Sequence, residues 1–91
     1  MGSVTDAMRR KLMAAFSPTR LDIDDDSARH AGHAGAGPGG ESHFSVTIES
    51  AAFAGATRLQ RQRLVHGALA EELAGPVHAL AITALAPGED R

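Results

Sequence analysis

From His43 to Glu49 the chain alternates strictly, with Phe44, Val46 and Ile48 on one parity and His43, Ser45, Thr47 and Glu49 on the other. That period of two predicts a half-buried strand over about residues 42–50. A shorter alternation, Leu21-Asp22-Ile23-Asp24 followed by Asp25 and Asp26, predicts an earlier strand. The three consecutive aspartates resemble the start of a calcium loop. The other EF-hand ligands and the closing glutamate are missing, so they read as the polar end of the strand. Upstream, Val4, Met8, Leu12 and Ala15/Phe16 recur at helical spacing and predict a helix over residues 4–16. Ser3 suits its N-cap, and Asp6 suits the positive end of its dipole. Pro18 should stop it, because the residue before a proline is pushed out of the α region.

Downstream of the alternating strand, Ala51 to Gly55 make a short connection that carries Phe53 toward the core. Thr57 suits the cap of a second helix running to about Ala74. Arg61, Val65, Leu69 and Leu73 share one side of it, supported by Ala68 and Glu72, and Gly75-Pro76 ends it. Val77 to Leu85 is apolar on both parities, as expected of a strand covered on both faces or lying centrally in a sheet. Residues 87–91 form a polar tail. The two earlier strands, joined by one loop, most simply make an antiparallel hairpin. The order helix–strand–strand–helix–strand describes one α+β domain over residues 1–91, with the helices on one face of a three-stranded sheet.

Residues 28–40 interrupt this regularity. They have no apolar period, are dominated by glycine, and carry His30 and His33. Loops of this length without structure of their own are usually functional or disordered, and the imidazoles favour a functional one. The whole chain has 5 histidines and no cysteine. The missing thiols exclude a disulfide framework, a zinc ribbon, a thiol nucleophile and a self-contained iron–sulfur site. Any metal must therefore rest on histidine and carboxylate. His30 and His33 in the loop, and His78 at the start of the last strand, are the candidate ligands, since imidazole suits zinc, copper and iron. His43 within a strand and His66 within a helix read as structural.

Other chemistries find little support. There is no Gly-x-Ser-x-Gly, no Ser/His/Asp set and no Walker sequence, so no catalytic residue is assigned and an enzyme is not expected. The formal net charge of -2 gives no global pull toward nucleic acid. No apolar run is long enough to span a membrane, there is no signal-peptide h-region, and Asp6 stands where a myristoylation motif needs Ser or Thr. A cytoplasmic protein is the expectation. Arg9, Arg10 and Lys11 read as a solvated face. Arg58, Arg61 and Arg63 crowd the first turns of the second helix, where the dipole disfavours cations. They either meet an anionic partner or anchor a neighbouring carboxylate. Gly32 to Gly35 and Gly37 to Gly40 match the G-x-x-G clamp of KH domains, but in a strand–strand loop they carry no helix N-terminus to phosphate.

Taken together, Gly40-Glu41-Ser42-His43-Phe44, Phe53-Ala54-Gly55, Leu59-Gln60-Arg61-Gln62-Arg63-Leu64-Val65 and Val77-His78-Ala79-Leu80 resemble the BolA family over about residues 12–87. The resemblance implies a class II KH-like fold, α-β-β-α-β with a three-stranded mixed sheet, helices on one face and room for extra short helical turns. It also implies a role beside a monothiol glutaredoxin, with which the chain would share a [2Fe–2S] cluster in iron–sulfur trafficking and iron sensing. Glutaredoxin and glutathione would supply two thiolates, and His78 would be the family's V-H-A-L ligand. The loop between the first two strands would add a second ligand, histidine in one subgroup and cysteine in the other. A cysteine-free chain resembles the histidine subgroup, with His30 the best match and His33 the alternative. Two imidazoles on one iron and two thiolates on the other make a Rieske-like ligand set. Such capture should weaken as pH falls through the histidine range, because only neutral imidazole binds. The isolated chain is expected without the cluster, as a monomer or weak homodimer.

Arg61-Gln62-Arg63 stands where the family usually reads R-H-R, which removes one familiar imidazole. A second function is also described for BolA-like proteins, DNA-binding transcriptional regulation. It would use Arg58, Arg61 and Arg63, and its affinity would fall steeply with salt. A metal-free protein–protein adaptor is the third reading.

Overall fold

The computed structural model describes residues 3–25 and 42–89. Helix α1 (Ser3–Phe16) turns Met8 and Leu12 fully inward, with Val4 and Phe16 packed at the margin of the same core. Ser3 is its first residue, so the capping position falls on Gly2, outside the described residues. The helix ends before Pro18 as expected. Ser17 takes a left-handed φ of 44° while its N–H still donates to the Met13 carbonyl at 3.0 Å, a helix stop more often made by glycine.

Strand β1 (Arg20–Asp25) pairs antiparallel with β2 (His43–Glu49), from Arg20 opposite Glu49 to Asp25 opposite Phe44. Strand β3 (Ala79–Leu85) joins the other side of β2 in parallel, from His43 beside Ala79 to Glu49 beside Leu85. The sheet is therefore mixed, in the order β1-β2-β3. Phe44, Val46 and Ile48 bury the helix-covered face against Met8, Leu12, Phe53, Val65, Leu69 and Val77.

Two expectations need correction. The last strand lies at an edge, and β2 is the central one. On the second apolar parity of the last strand, Ala79 and Ala81 are exposed and Leu85 is half-buried. Alanine counts as apolar yet has too little side-chain area to demand a covering layer. Leu80, Ile82 and Ala84, level with Phe44, Val46 and Ile48, are the residues that pack on the core. The second helix, expected as one rod to Ala74, divides at Leu69 (φ -108°, ψ 21°) into α2 (Arg58–Ala68) and α3 (Ala70–Ala74). The Leu69 N–H is shared between the Gly67 and Val65 carbonyls, and Gly67 is a weak helix former at the point of the break. Val65 and Leu69 stay fully buried, so the apolar stripe runs through it.

Thr57 caps α2 as expected. Its hydroxyl accepts from the Gln60 N–H at 3.1 Å, and Gln60 Oε1 accepts from the Thr57 N–H at 2.8 Å. Between β2 and α2, buried Ser50 gathers three elements. Its N–H donates to Leu85, its hydroxyl donates to the Phe16 carbonyl at 2.6 Å, and the same oxygen accepts from Ala52 in the 3₁₀ turn Ala51–Phe53. The outer edge of β3 is blunted by α2. Gln62 Nε2 donates to the Ile82 carbonyl and Arg61 Nη1 to the Ala84 carbonyl, both at 3.0 Å, which occupies acceptors another strand would otherwise use.

Candidate functional site

His78 is placed by backbone on both sides. Before it, Val77 is buried and its N–H donates to the Glu72 carbonyl at 2.9 Å. At the residue itself, the N–H of His78 (2.7 Å) and the N–H of Ala79 (3.1 Å) both donate to the carbonyl of Ser42. With Val77 pinned inward, the next side chain turns outward. His78 is exposed, and its ring makes no hydrogen bond to any described residue. The imidazole is thus presented to solvent from an anchored main chain, a combination that suits a ligand for something brought by a partner.

His30 and His33 lie outside the described residues. The two ends of their segment are described, and they flank this site. Asp25 is level with Phe44 and Leu80, and Ser42 is bonded to His78 itself. Two strand spacings amount to roughly 10 Å, whereas the chain between Asp25 and His30 spans at most ~17 Å when extended. Chain length therefore permits either loop histidine to approach His78. His43 is close as well, in register with Ala79 but on the opposite parity to Ser42, and its Nδ1 is 2.9 Å from the Ser42 hydroxyl. Among the described residues no three His, Asp or Glu side chains converge as a metal site, so this part of the chain offers a metal at most an incomplete ligand set.

The arginines lie toward the other end of β3, and they do not act as one surface. Arg61 is turned inward, with its side chain only 14% exposed. Its guanidinium grips Glu89 through two bonds, of 2.6 and 2.9 Å, and its Nε donates to the Ala56 carbonyl at 3.0 Å. This is the carboxylate-anchoring alternative for an arginine at that end of the helix. Arg58, Arg61 and Gln62 line a groove of about 500 Å³ between α2 and β3. Arg58 and Arg63 are exposed, as are Leu59 and Leu64.

The fork from Arg61, helped by the Ala86 N–H, pulls the Glu89 carboxyl down from 4.5 to about 2. A carboxyl depressed on folding stabilises the native state above its unfolded pKa and loses that contribution as pH falls through the folded one. Acid unfolding of the wild type should therefore gain a proton-linked component between about pH 4.5 and 2. Glu89→Gln should lack that component in melts taken at stepped pH, and an unchanged acid limb would refute the assignment.

One pairing was not legible from residue types alone. Lys11, placed with a solvated cationic face, donates to Glu71 at 2.6 Å and to buried Glu72 at 2.7 Å. The available signal was Glu72 on the apolar side of its helix, since a carboxylate is rarely buried there unless paired. Arg9 and Arg10 are exposed as expected.

This arrangement, a three-stranded mixed sheet with helices on one face and an outward histidine opening β3, has close counterparts. Residues 12–89 match the model of the BolA-like protein family. The human BolA-like protein 1 is 50% identical over 91 residues, which is 100% of this chain and 64% of the relative. The BolA domain of SufE1 from Arabidopsis thaliana superposes with a TM-score of 0.86 at 39% identity, over 99% of both chains. The DNA-binding transcriptional regulator BolA of Escherichia coli is 43% identical over 79 residues, covering 87% of this chain and 71% of the relative. The chain belongs to the BolA-like family. It spans 62 to 64% of the length of the mammalian BolA-like protein 1 relatives. No helix among the described residues is long and apolar enough to cross a membrane.

Proposed function

We propose that this chain is a non-enzymatic partner of a monothiol glutaredoxin, and that the two proteins with glutathione hold a [2Fe–2S] cluster between them as cargo for iron–sulfur trafficking or iron regulation in the cytoplasm. The observation that carries this reading is the exposed His78 imidazole on a main chain fixed by Ser42. His78 supplies one neutral ring nitrogen, and His30 supplies the second, with His33 as the alternative. Thiolates must come from outside, because the chain has none. A histidine pair facing a thiolate pair is a coherent ligand set for such a cluster. Gln62, where the family usually has histidine, serves as a donor to the edge of β3 and takes no part in this site.

The test is reconstitution with a monothiol glutaredoxin, glutathione, iron and sulfide, followed by visible absorption and circular dichroism. The wild type should give a spectrum distinct from that of glutaredoxin alone. His30→Ala should shift or weaken it, and His30→Ala/His33→Ala should remove the distinct bands. An unchanged spectrum in the double variant rules out the loop ligands.

A second reading is favoured by one specific observation, the name of the Escherichia coli relative. DNA contact would fall to exposed Arg58 and Arg63, because Arg61 is committed to Glu89. Two separated cations on a chain of net charge -2 make a weak phosphate-binding surface, so the cluster reading stands first.

A further inference from the structure

We infer that Lys11, on α1, is a positioning residue for His78. Its two ion pairs hold α3, and the carbonyl of Glu72 passes that hold to the turn presenting the imidazole. This deepens the cluster reading and depends on it only for the purpose of the device, not for its existence.

α3 has five residues, and Leu69 gives it no side-chain cap. So short a helix has no stability of its own and must be held by its surroundings. Leu69 and Leu73 pack it on one side. On the other, Lys11 Nζ lies 2.6 Å from Glu71 Oε1 and 2.7 Å from Glu72 Oε2. Glu71 is exposed, whereas the Glu72 side chain retains only 9% of its accessibility. Its other oxygen, Oε1, is buried and has no hydrogen-bond partner among the described residues. Lys11 is therefore the cation that makes burial of this carboxylate tolerable. Removing one partner of a buried pair leaves a charge that must reach water or take up a proton. The ammonium also gains, since Glu71 first and then Glu72 raise its pKa through hydrogen bonds.

The same residue that Lys11 grips by its side chain organises the turn by its main chain. The Glu72 carbonyl accepts from Gly75 N–H at 3.2 Å and from Val77 N–H at 2.9 Å, and His78 follows Val77 directly. Without the clamp, Glu72 has reason to swing outward and take its carbonyl with it. The turn then keeps only the Val77 side chain and the Ser42 bonds to fix the ring. Lys11 touches nothing that binds the cargo. It acts through α3, which it holds at Glu71 and Glu72, and the Glu72 carbonyl carries that hold to the turn.

Amide hydrogen exchange on the full chain tests this without any partner. In Lys11→Met, protection at Val77 and His78 should fall at least tenfold, while the β1–β2 ladder changes less than twofold. Lys11→Arg should restore both. A uniform loss at all amides, or none at Val77 and His78, overturns the proposal. Should Lys11→Met fail to fold, Glu72→Gln keeps the shape and removes the ion pair. It should lower the same two amides at least threefold, and no change there also overturns it.

The variants are then loaded with glutaredoxin, glutathione, iron and sulfide. Lys11→Met should give altered circular dichroism that Lys11→Arg returns to the wild-type form. Local loosening with an unaltered cluster spectrum refutes positioning of a ligand. If wild type forms no shared cluster, the functional reading fails and the exchange result stands separately.

Discussion

Replacing His78 by alanine should abolish the shared cluster and leave the domain folded. The side chain is exposed and bonds to no described residue, and what fixes the site is backbone: His78 N–H and Ala79 N–H on Ser42, and Val77 N–H on Glu72. Alanine keeps every one of those donors. Surface changes of this kind usually stay within about 0.5 kcal/mol, which in a domain of this size corresponds to a melting shift below about 4 °C. Cluster capture should behave differently. With no cysteine in the chain, nothing nearby can replace a lost imidazole with a thiolate. Two measurements on one sample decide the matter, a melting curve and the visible circular dichroism of the glutaredoxin mixture. A variant that melts normally and still shows the wild-type cluster bands would remove His78 from the site.

The three strands and the start of α2 could be read from the chain because local physics dictated them. The alternation of β2 matches its burial residue for residue, and Thr57 with Gln60 forms its capping box from sequence neighbours alone. Where tertiary context decided, the reading failed. Alanine at 79 and 81 mimicked a buried face, because pattern counts chemistry without weighing area. Nothing local shows whether β3 pairs on one side or two. The break at Leu69 also lies within an unbroken apolar stripe, so periodicity alone could not reveal it.

The site divides in the same way. The exposure of His78 is consistent with a neighbouring Val77 that must point inward, a two-residue inference available from sequence. The Ser42 carbonyl that anchors it is invisible to any reading of side-chain types, since every residue has a carbonyl. Arg61 shows a third situation. Its position on the apolar side of the helix marked it as unlike Arg58 and Arg63, yet its partner Glu89 stands 28 positions away in what reads as a polar tail. Long-range pairs between an ambiguous cation and a tail carboxylate need coordinates.

The largest effect on stability should come from Phe53→Ala. Phe53 is fully buried at the end of the 3₁₀ turn, and its ring packs 5.1 Å from that of Phe16 at a tilt of 39°. It closes the end of the core where α1 finishes and β2 leaves the sheet, beside the Ser50 bonds to Phe16 and Leu85. The chain has only 3 aromatic residues, and with Phe16 already packed on this ring most of the space that Phe53 vacates should stay empty. Truncating a buried phenylalanine costs about 3–5 kcal/mol, against a total of about 5–15 kcal/mol for a typical domain. Thermal melts by far-ultraviolet circular dichroism should show Tm falling by about 15–30 °C. Leu59→Ala supplies the contrast, because Leu59 is exposed and its loss should move Tm by no more than about 4 °C. Similar shifts for the two variants would mean that Phe53 does not close the core. Phe53→Leu separates packing from function, since a smaller apolar side chain at this end should lower Tm while the cluster spectrum, set at the opposite end of β3, stays as in the wild type.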